Sequence, residues 1–409
     1  MNQELAAEIA LIKESLEYPY ATPYGCLYAP FDEDVFNACR EVAARLTAYN
    51  PTLFLLVGIG GSNMGTLAVL HALPERERIR FYCADTLDAD GIESLLILLQ
   101  EELVAGGVPL VCIVTKSGST AETLINAALL YECIKNYRPD DYHKYIVVIT
   151  DENSPLAHVA HDAQFELLVV PQAVGGRYSI FSAVGLFPLC MMGIDVPSFI
   201  KGAQQMFKRC INDDMQSNKA VGSALTLFQA YSEGYLLHDI FVFSPSLVML
   251  GHWYKQLIGE SLGKKHTKQG TLVEVGISPT VSVGTVDLHS VVQLYLAGPR
   301  IRITTFLSID DEPTDLKIPD NELSRILPEL VGKSVTAVKK SIYKGVLRAY
   351  QKEQRPFMEC SLSYRSSETL GGFMMMKMIE TIFLARLFSI NAFDQPQVEL
   401  YKKEARQEL

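Results

Sequence analysis

The sequence has few of the features that place a protein in a membrane, on nucleic acid or in an oxidising compartment. Its 36 Lys and Arg face 47 Asp and Glu, and a net charge of −11 gives no general attraction for nucleic acid or anionic lipid. The eight cysteines include no C-x-x-C pair, which argues against a disulfide framework. The longest weakly polar run, 180–194, is too short to span a bilayer, and residues 1–17 lack a secretory pattern. We therefore expect a cytoplasmic protein with no nucleic-acid or membrane partner.

The rest of the composition is that of a globular protein, with 48% hydrophobic and 20% charged residues. A chain of 409 residues is too long for one compact core and predicts two domains. Apolar runs such as 53–57, 110–114 and 240–243 alternate with helical patterns, which predicts parallel strands covered by helices on both faces. We predict an α/β fold of two doubly wound parallel-sheet domains, each an αβα sandwich. The predicted segments are an N-terminal helix and arm at 1–33, domains at 34–196 and 197–390, and a charged tail at 391–409.

Two polar loops follow predicted strands and lead into predicted helices. They are Gly58-Ile59-Gly60-Gly61-Ser62 and Thr115-Lys116-Ser117-Gly118-Ser119-Thr120. Glycines let the backbone approach a ligand, and helix N-termini present free N–H groups to an anion. Ligands of such sheets bind beyond the carboxyl ends of the strands, where both loops lie. Together the loops predict a site for a phosphate monoester.

Each loop also has a simpler interpretation. The first is compatible with a tight strand-to-helix turn in which Ser62 occupies an N-cap position, and the second with a hydroxyl-rich helix cap. The Gly-Lys-Ser/Thr sequence of a P-loop is absent, and Asn63 stands where the dinucleotide fingerprint requires glycine. Asp85 follows the next predicted strand about twenty residues later. A dinucleotide site therefore stays open as an alternative.

Four further segments carry ordered motifs: Gly175-Gly176-Arg177-Tyr178-Ser179, Gln256-Leu257-Ile258-Gly259-Glu260-Ser261-Leu262-Gly263-Lys264, Gly284-Thr285-Val286-Asp287-Leu288-His289-Ser290 and Phe393-Asp394-Gln395-Pro396-Gln397-Val398-Glu399-Leu400-Tyr401-Lys402. With the two loops, they resemble the glucose-6-phosphate isomerase family from about residue 34 to residue 402. The resemblance implies two sugar-isomerase-type domains in a short, bacterial-type form. It implies an aldose–ketose isomerase of glycolysis and gluconeogenesis that interconverts glucose 6-phosphate and fructose 6-phosphate through a cis-enediol, without a cofactor.

The resemblance also implies a role for each site residue. It places the substrate-binding set, with the phosphate contacts first, at Ser62, Thr115, Ser117, Thr120, Gly61, Gly176, Gln256 and Gln395. Glu260 would be the base that moves a proton between C2 and C1, and Arg177 the cation beside the enediolate. His289 and Lys402 would assist ring opening. Since the family's histidine enters from the neighbouring subunit, we expect a homodimer in which His289 is donated across the interface.

The residue chemistry agrees with these roles, although each residue has an ordinary alternative. Isomerisation needs a base, a group that holds the developing oxyanion, and shielding from water. Glu260 ends an apolar predicted helix, where the usual alternative is a solvated glutamate. Arg177 stays charged and follows two glycines, the alternative being a surface ion pair. A neutral His289 imidazole can pass a proton to a ring oxygen, or serve only at a helix start. For Lys402, the charged sequence around it indicates only a solvated tail, and its role depends on the resemblance.

Two histidine arrangements raise the question of a metal. His158 and His161 share one helical face without an obvious third ligand, and His252 and His266 flank Glu260. Enediol chemistry requires no metal, so we expect none and predict that a chelator leaves activity unchanged. Other readings stay open: an isomerase of mannose 6-phosphate or an amino-sugar phosphate, a non-catalytic sugar-phosphate-binding regulator, and a dinucleotide-dependent oxidoreductase.

Overall fold

The computed structural model describes residues 2–73, 79–212, 214, 216–311, 314 and 316–408. Met1, where the predicted N-terminal segment begins, and Leu409, where the predicted tail ends, lie outside the described residues. The helices of the described residues are α1 (Asn2–Ser15), α2 (Gly25–Tyr28), α3 (Glu33–Thr47), α4 (Met64–Ala72), α5 (Ala89–Val104), α6 (Ala121–Tyr137), α7 (Pro155–Asp162), α8 (Ala183–Met191), α9 (Val196–Cys210), α10 (Lys219–Ser232), α11 (Val248–Leu262), α12 (Val292–Ala297), α13 (Val335–Lys352), α14 (Ser367–Leu387) and α15 (Val398–Glu408). The strands are β1 (Leu53–Val57), β2 (Arg80–Ala84), β3 (Pro109–Val114), β4 (Ile146–Thr150), β5 (Glu166–Val169), β6 (Leu237–Val242), β7 (Lys264–His266), β8 (Leu272–Val275), β9 (Ser278–Val283), β10 (Arg302–Asp311) and β11 (Phe357–Tyr364).

The first sheet is parallel, with the strand order β2-β1-β3-β4-β5. Every residue of β1, β3 and β4 is buried, because helices cover both faces of the sheet. This explains why these strands are continuous apolar runs. Val57 at the end of β1 pairs with Ala84 on one side and Ile113 on the other. The loops that follow β1 and β3 therefore leave the same edge of the sheet side by side.

The second sheet is also parallel, in the order β11-β10-β6-β9, so the predicted α/β class is confirmed. Its edge strand β9 was not among the predicted strands. Its sequence, Ser-Pro-Thr-Val-Ser-Val, has no continuous apolar run, because an edge strand is covered less completely than a central one. The antiparallel pair β7 and β8 was not predicted either, since it encloses the charged sequence at 264–268.

A continuous hydrophobic core connects the two sheets. One cluster of buried side chains includes Phe54 and Leu56 of the first sheet and Ile240 and Val242 of the second. Helix α14 is buried along almost its whole length and packs against α9, α10 and α11. The division of the chain at residues 196 and 197 stays a prediction. No helix within the described ranges combines the length and apolar character that a bilayer crossing requires.

Helix α11 connects the two sheets at the point where the predicted site lies. It packs against α4, which follows the first loop, and against β9 of the second sheet. A Cβ on Gly251 would lie 2.9 Å from Val281 Cγ1, and a Cβ on Gly259 would lie 3.8 Å from Pro279 Cγ. Helix α11 therefore runs antiparallel to β9, and its C-terminal end lies beside the start of that strand. This direction carries position 260 away from the carboxyl edge of the second sheet.

Candidate active site

The loops after β1 and β3 are in direct contact. A Cβ on Gly58 would lie 2.9 Å from Ser62 Cβ and 3.0 Å from the carbonyl oxygen of Val114. Thr115 is the residue after Val114, and its side chain is 2% exposed. The structure therefore brings the first loop to the start of the hydroxyl-rich second loop.

Three hydroxyl groups of the second loop form a compact cluster. Thr115 Oγ1 lies 2.8 Å from Thr120 Oγ1, and Ser117 Oγ lies 3.5 Å from each of them. Thr120 immediately precedes α6, yet its side chain makes no capping hydrogen bond with that helix. The simpler interpretation of this loop as a helix cap is therefore wrong for Thr120. The hydroxyls converge at a helix N-terminus, the arrangement that suits an anion.

The helix boundary differs from prediction at the first loop. Gly60–Ser62 forms a 3-10 turn, and Asn63, not Ser62, precedes α4. Asn63 is buried, and its Nδ2 donates to Asp85 Oδ2 at 2.9 Å. This hydrogen bond gives Asp85 a structural role at the end of β2. The Ser62 hydroxyl is thereby left outside the first turn of α4.

Arg177 is the centre of the second half of the site. It is 3% exposed, and all three of its guanidinium nitrogens donate hydrogen bonds. Nε donates to Ser261 Oγ at 2.8 Å. Nη1 donates to Glu260 Oε2 at 3.2 Å and also to Gln395 Oε1. Nη2 donates to the backbone carbonyl oxygens of Ala392 at 2.6 Å and Asp394 at 3.1 Å. A planar guanidinium satisfied on so many sides is held in a fixed orientation.

Glu260 lies in the last turn of α11 with its carboxylate between Arg177 and Gln256. Gln256 Nε2, one helical turn earlier, donates to Glu260 Oε1 at 2.9 Å. The Glu260 side chain keeps 33% of its surface exposed, so it is accessible to a small molecule. A Cβ on Gly60 would lie 3.0 Å from Gln256 Nε2, which links this carboxylate to the first loop.

Two glycine segments meet with their backbones in contact. A Cβ on Gly61 would overlap the carbonyl group of Gly176. Ser179 Oγ donates to the carbonyl oxygen of Gly176 at 2.7 Å and to that of Gly61 at 3.3 Å. The absence of side chains thus lets the first loop approach the segment that carries Arg177. The hydroxyl cluster and the Glu260–Arg177 pair become parts of one continuous site.

The C-terminal segment contributes to the site through Gln395. Its side-chain oxygen accepts from Arg177 Nη1. Lys402 lies on α15, where its Nζ donates to Glu399 Oε1 at 2.9 Å and its side chain is 39% exposed. Among the contacts of the described residues, none joins Lys402 to Glu260 or Arg177. Its role in ring opening stays a prediction.

His289 lies at a distance from Glu260 within one chain. It is exposed, and it ends the 3-10 turn Val286–His289 that follows β9. Because β9 runs antiparallel to α11, this turn lies beyond the N-terminal end of α11, whereas Glu260 lies near the C-terminal end. Twelve residues of helix separate position 248 from Glu260, which corresponds to about 18 Å. Within one chain, His289 and Glu260 therefore lie toward opposite ends of α11, and donation of the histidine by a second copy of the chain stays a prediction.

Sequence reasoning gave no role to three residues that support the site. Ser261 Oγ lies 2.9 Å from Tyr178 Oη as well as accepting from Arg177. Burial raises the pKa of Tyr178 to about 12, so this hydroxyl stays protonated. Lys264 Nζ donates to the Glu260 carbonyl at 2.6 Å. Ser261 and Lys264 follow Glu260 by one and four residues, and Tyr178 follows Arg177 directly, so their places within the quoted motifs were the sequence signal.

The two histidine arrangements give no metal site in the ranges that the structure describes. His158 and His161 lie on α7. No group of three or more His, Cys, Asp and Glu side chains in those ranges is arranged to hold a metal ion. That activity is independent of a metal stays a prediction.

The comparisons with known proteins identify the family. A family model described as Phosphoglucose isomerase matches residues 47–408. The glucose-6-phosphate isomerase of Methanocaldococcus jannaschii is 32% identical over 91% of this chain and 88% of its own length. That of Carboxydothermus hydrogenoformans is 30% identical over 92% of this chain and 82% of its own length.

A solved structure shows that the fold is shared as well. The crystal structure of a glucose-6-phosphate isomerase from Chlamydia trachomatis superposes with a TM-score of 0.82. The match covers 99% of this chain and 84% of that chain at 20% identity, and at that identity it supports the fold alone. The resemblance predicted from the ordered motifs is confirmed by the family match and by the identity with its members. This chain belongs to the phosphoglucose isomerase family.

Proposed function

We propose that this chain interconverts glucose 6-phosphate and fructose 6-phosphate. The family match, the relatives that carry that name and the arrangement of the site support this activity. The observation that carries the proposal is the placement of Glu260 Oε2 at 3.2 Å from Arg177 Nη1. It pairs a partly exposed carboxylate with a buried permanent cation beside a cluster of hydroxyls.

The phosphate group is held by the two loops of the first sheet. Hydroxyls of Ser62, Thr115, Ser117 and Thr120, with backbone groups of Gly61, surround it. A metal-free cradle of this kind suits a monoester, and the uncapped N-terminus of α6 adds favourable charge. Gln256 and Gln395, which flank Glu260 and Arg177, bind sugar hydroxyls, and the backbone of Gly176 closes the site between them. The phosphate thus anchors the end of the sugar that does not react.

The reaction takes place at the other end of the sugar, at C1 and C2. The partner's His289 and Lys402 assist opening of the ring by transferring a proton to the ring oxygen. The Glu260 carboxylate then removes the proton from C2 of the aldose, and protonation of O1 gives a cis-enediol. Glu260 returns its proton to C1 while the hydroxyl on C2 gives up its proton, so that the net result is one proton moved from C2 to C1, one moved from O2 to O1, and a ketose. Arg177 stabilises the negative charge that develops on the oxygens, because its guanidinium does not exchange protons at neutral pH. No redox cofactor or metal is required by this sequence of proton transfers.

A homodimer completes the site in this proposal. The exposed His289 lies far from Glu260 in its own chain, so the histidine that acts at each site comes from the other subunit. We also propose a cytoplasmic location, which suits a glycolytic enzyme. All eight cysteines are free, as expected in a reducing compartment.

The test is a coupled assay of purified protein with glucose 6-phosphate and with fructose 6-phosphate. We expect turnover in both directions, inhibited competitively by a five-carbon sugar-acid phosphate that mimics the enediolate. Mannose 6-phosphate and an amino-sugar phosphate serve as parallel substrates. Faster turnover of either would replace the proposed substrate, and binding of the inhibitor without turnover of any sugar would point to a non-catalytic sensor.

A further inference from the structure

Lys264 is a buried cation directly behind the candidate base. It begins β7, two residues after the end of α11, and its side chain is only 4% exposed. Its Nζ donates to the backbone carbonyl of Glu260 at 2.6 Å and lies 3.7 Å from Asp394 Oδ1. The last carbonyls of a helix have no partner within the helix, so a lysine here supplies one and opposes the negative end of the helix dipole.

Asp394 connects Lys264 to the guanidinium of Arg177. Its carboxylate faces Lys264, and its backbone carbonyl accepts from Arg177 Nη2 at 3.1 Å. The next residue, Gln395, accepts from Arg177 Nη1. One ammonium group therefore contacts both the last turn of α11 and the segment that surrounds Arg177.

The charges around Lys264 come from several elements. Arg177 acts on it from the turn that follows β5, Asp394 from the C-terminal segment and Glu260 from α11. Lys264 and Asp394 also line a cavity of about 420 Å³, together with the exposed residues Lys265, His266 and Lys268. Burial first, and then the Arg177 charge, lower the pKa of Lys264 to about 8, whereas Asp394 and Glu260 act in the opposite direction.

We infer that Lys264 is a positioning residue for the isomerisation: it fixes the Glu260 backbone and the 392–395 segment against Arg177. This inference rests on the proposed function. Lys264 acts through Glu260 and Arg177 and does not touch the sugar. Without its ammonium group, the Glu260 carbonyl loses its partner, Asp394 loses its cation, and the carboxylate can move relative to C1 and C2.

The first test replaces Lys264 by methionine or arginine. We expect Lys264→Met to lower kcat by roughly 10- to 100-fold, as misplacement of a reacting group does. KM should change little, because Lys264 contacts the Glu260 carbonyl and Asp394 rather than the hydroxyls that hold the phosphate in the proposed site. Lys264→Arg should recover most of kcat, since it retains a cation. Lys265→Met, which changes an exposed lysine of the same cavity, is the matched control and should behave as wild type.

The second test is the pH profile of kcat. The protonated form of Lys264 is the active one, so wild-type kcat should fall as pH rises through about 8. Lys264→Arg should abolish this alkaline decline, because arginine stays protonated. Asp394→Asn removes the carboxylate that favours the ammonium, so it should move the decline to lower pH. If the role of Lys264 were purely structural, kcat would decline at the same pH in the wild type and in both variants.

The outcomes separate the two proposals. An inactive wild-type protein contradicts the proposed function itself. An active wild type with unchanged kcat in a folded Lys264→Met variant overturns the positioning role. If thermal unfolding shows that Lys264→Met does not fold, the test depends on the pH profiles of kcat for Lys264→Arg and Asp394→Asn. If kcat of both variants declines at the same pH as wild-type kcat, the inference is overturned.

Discussion

Arg177 is the residue on which the candidate site converges. It joins the carboxylate of Glu260, the amide of Gln395 and two backbone carbonyls of the C-terminal segment. Lysine could not replace this arrangement, because a single ammonium group has three donors and no planar fork. The role of Arg177 thus depends on its geometry as much as on its charge.

The hydroxyls of the phosphate loops should affect binding more than turnover. In the proposed site, Ser62→Ala and Thr120→Ala would each remove a hydrogen bond to the charged phosphate, which should raise KM roughly ten- to hundredfold. The effect on kcat should be smaller, because the phosphate does not take part in the proton transfer. Steady-state kinetics with glucose 6-phosphate measure both constants.

Ser94→Ala is the matched control for these two substitutions. Ser94 lies exposed on α5, where its hydroxyl donates to the Asp90 carbonyl, and its loss should leave both constants unchanged. A large fall in kcat with constant KM in the loop variants would contradict the phosphate role.

For individual residues, the sequence motifs predicted which side chains lie together at the site, but they did not predict the contacts that hold these side chains in place. Glu260, Arg177, Gln256 and Gln395 were all expected at one site, and the structure places them in contact. Lys264 and its bond to a backbone carbonyl could not be predicted, because the bond depends on how the chain turns after α11. A charged residue after a helix is ordinarily solvated.

At the level of secondary-structure elements, the critical feature is the close backbone contact between the loop that contains Gly61 and the segment that contains Gly176. Gly61→Ala would place a methyl group in the Gly176 carbonyl and separate the first loop from the segment of Arg177. We expect a loss of kcat/KM of about 100-fold or more, the scale of an ångström-sized displacement. Turnover and thermal unfolding of the same preparation measure this.

Gly222→Ala provides the comparison for Gly61→Ala. Gly222 lies within α10, and a Cβ there would have no atom within 4 Å beyond its chain neighbours and the backbone of its own helix. Alanine in a helix interior should raise stability by about 0.5–1 kcal/mol and leave activity unchanged. Wild-type activity in Gly61→Ala would show that the close approach of the loops is not required.

The elements were predictable where burial is complete. Strand β1 has the predicted bounds, and β3 begins one residue earlier than predicted, since central parallel strands are uninterrupted apolar runs. Strand β9 escaped prediction because four of its six residues are serine, threonine or proline. That omission concealed the direction of α11 relative to β9, and with it the separation of His289 from Glu260.

The whole molecule, in this account, is active only as a pair of chains. The variants Glu260→Gln and His289→Ala should each be inactive as homodimers. When subunits of the two are mixed and reassociate at random, half of the dimers are mixed, and one site in each has both native residues. Activity should therefore recover to about one quarter of the wild-type value.

Reassociation of each variant alone, under the same conditions, is the control for this experiment and should restore nothing. If His289 acted within its own chain, every site in the mixture would lack one of the two residues. A mixture that stays inactive despite verified exchange of subunits would exclude donation of the histidine across the interface.

The most direct test of the central claim is the turnover of Glu260→Gln, measured beside its affinity for the five-carbon enediolate mimic. Glu132→Gln, which changes an exposed glutamate of α6, is the control. Loss of a general base should lower kcat roughly a hundred- to ten-thousandfold while the phosphate ligand still binds. Turnover of Glu260→Gln equal to that of wild type would contradict the assignment of this carboxylate as the group that carries the proton between C2 and C1.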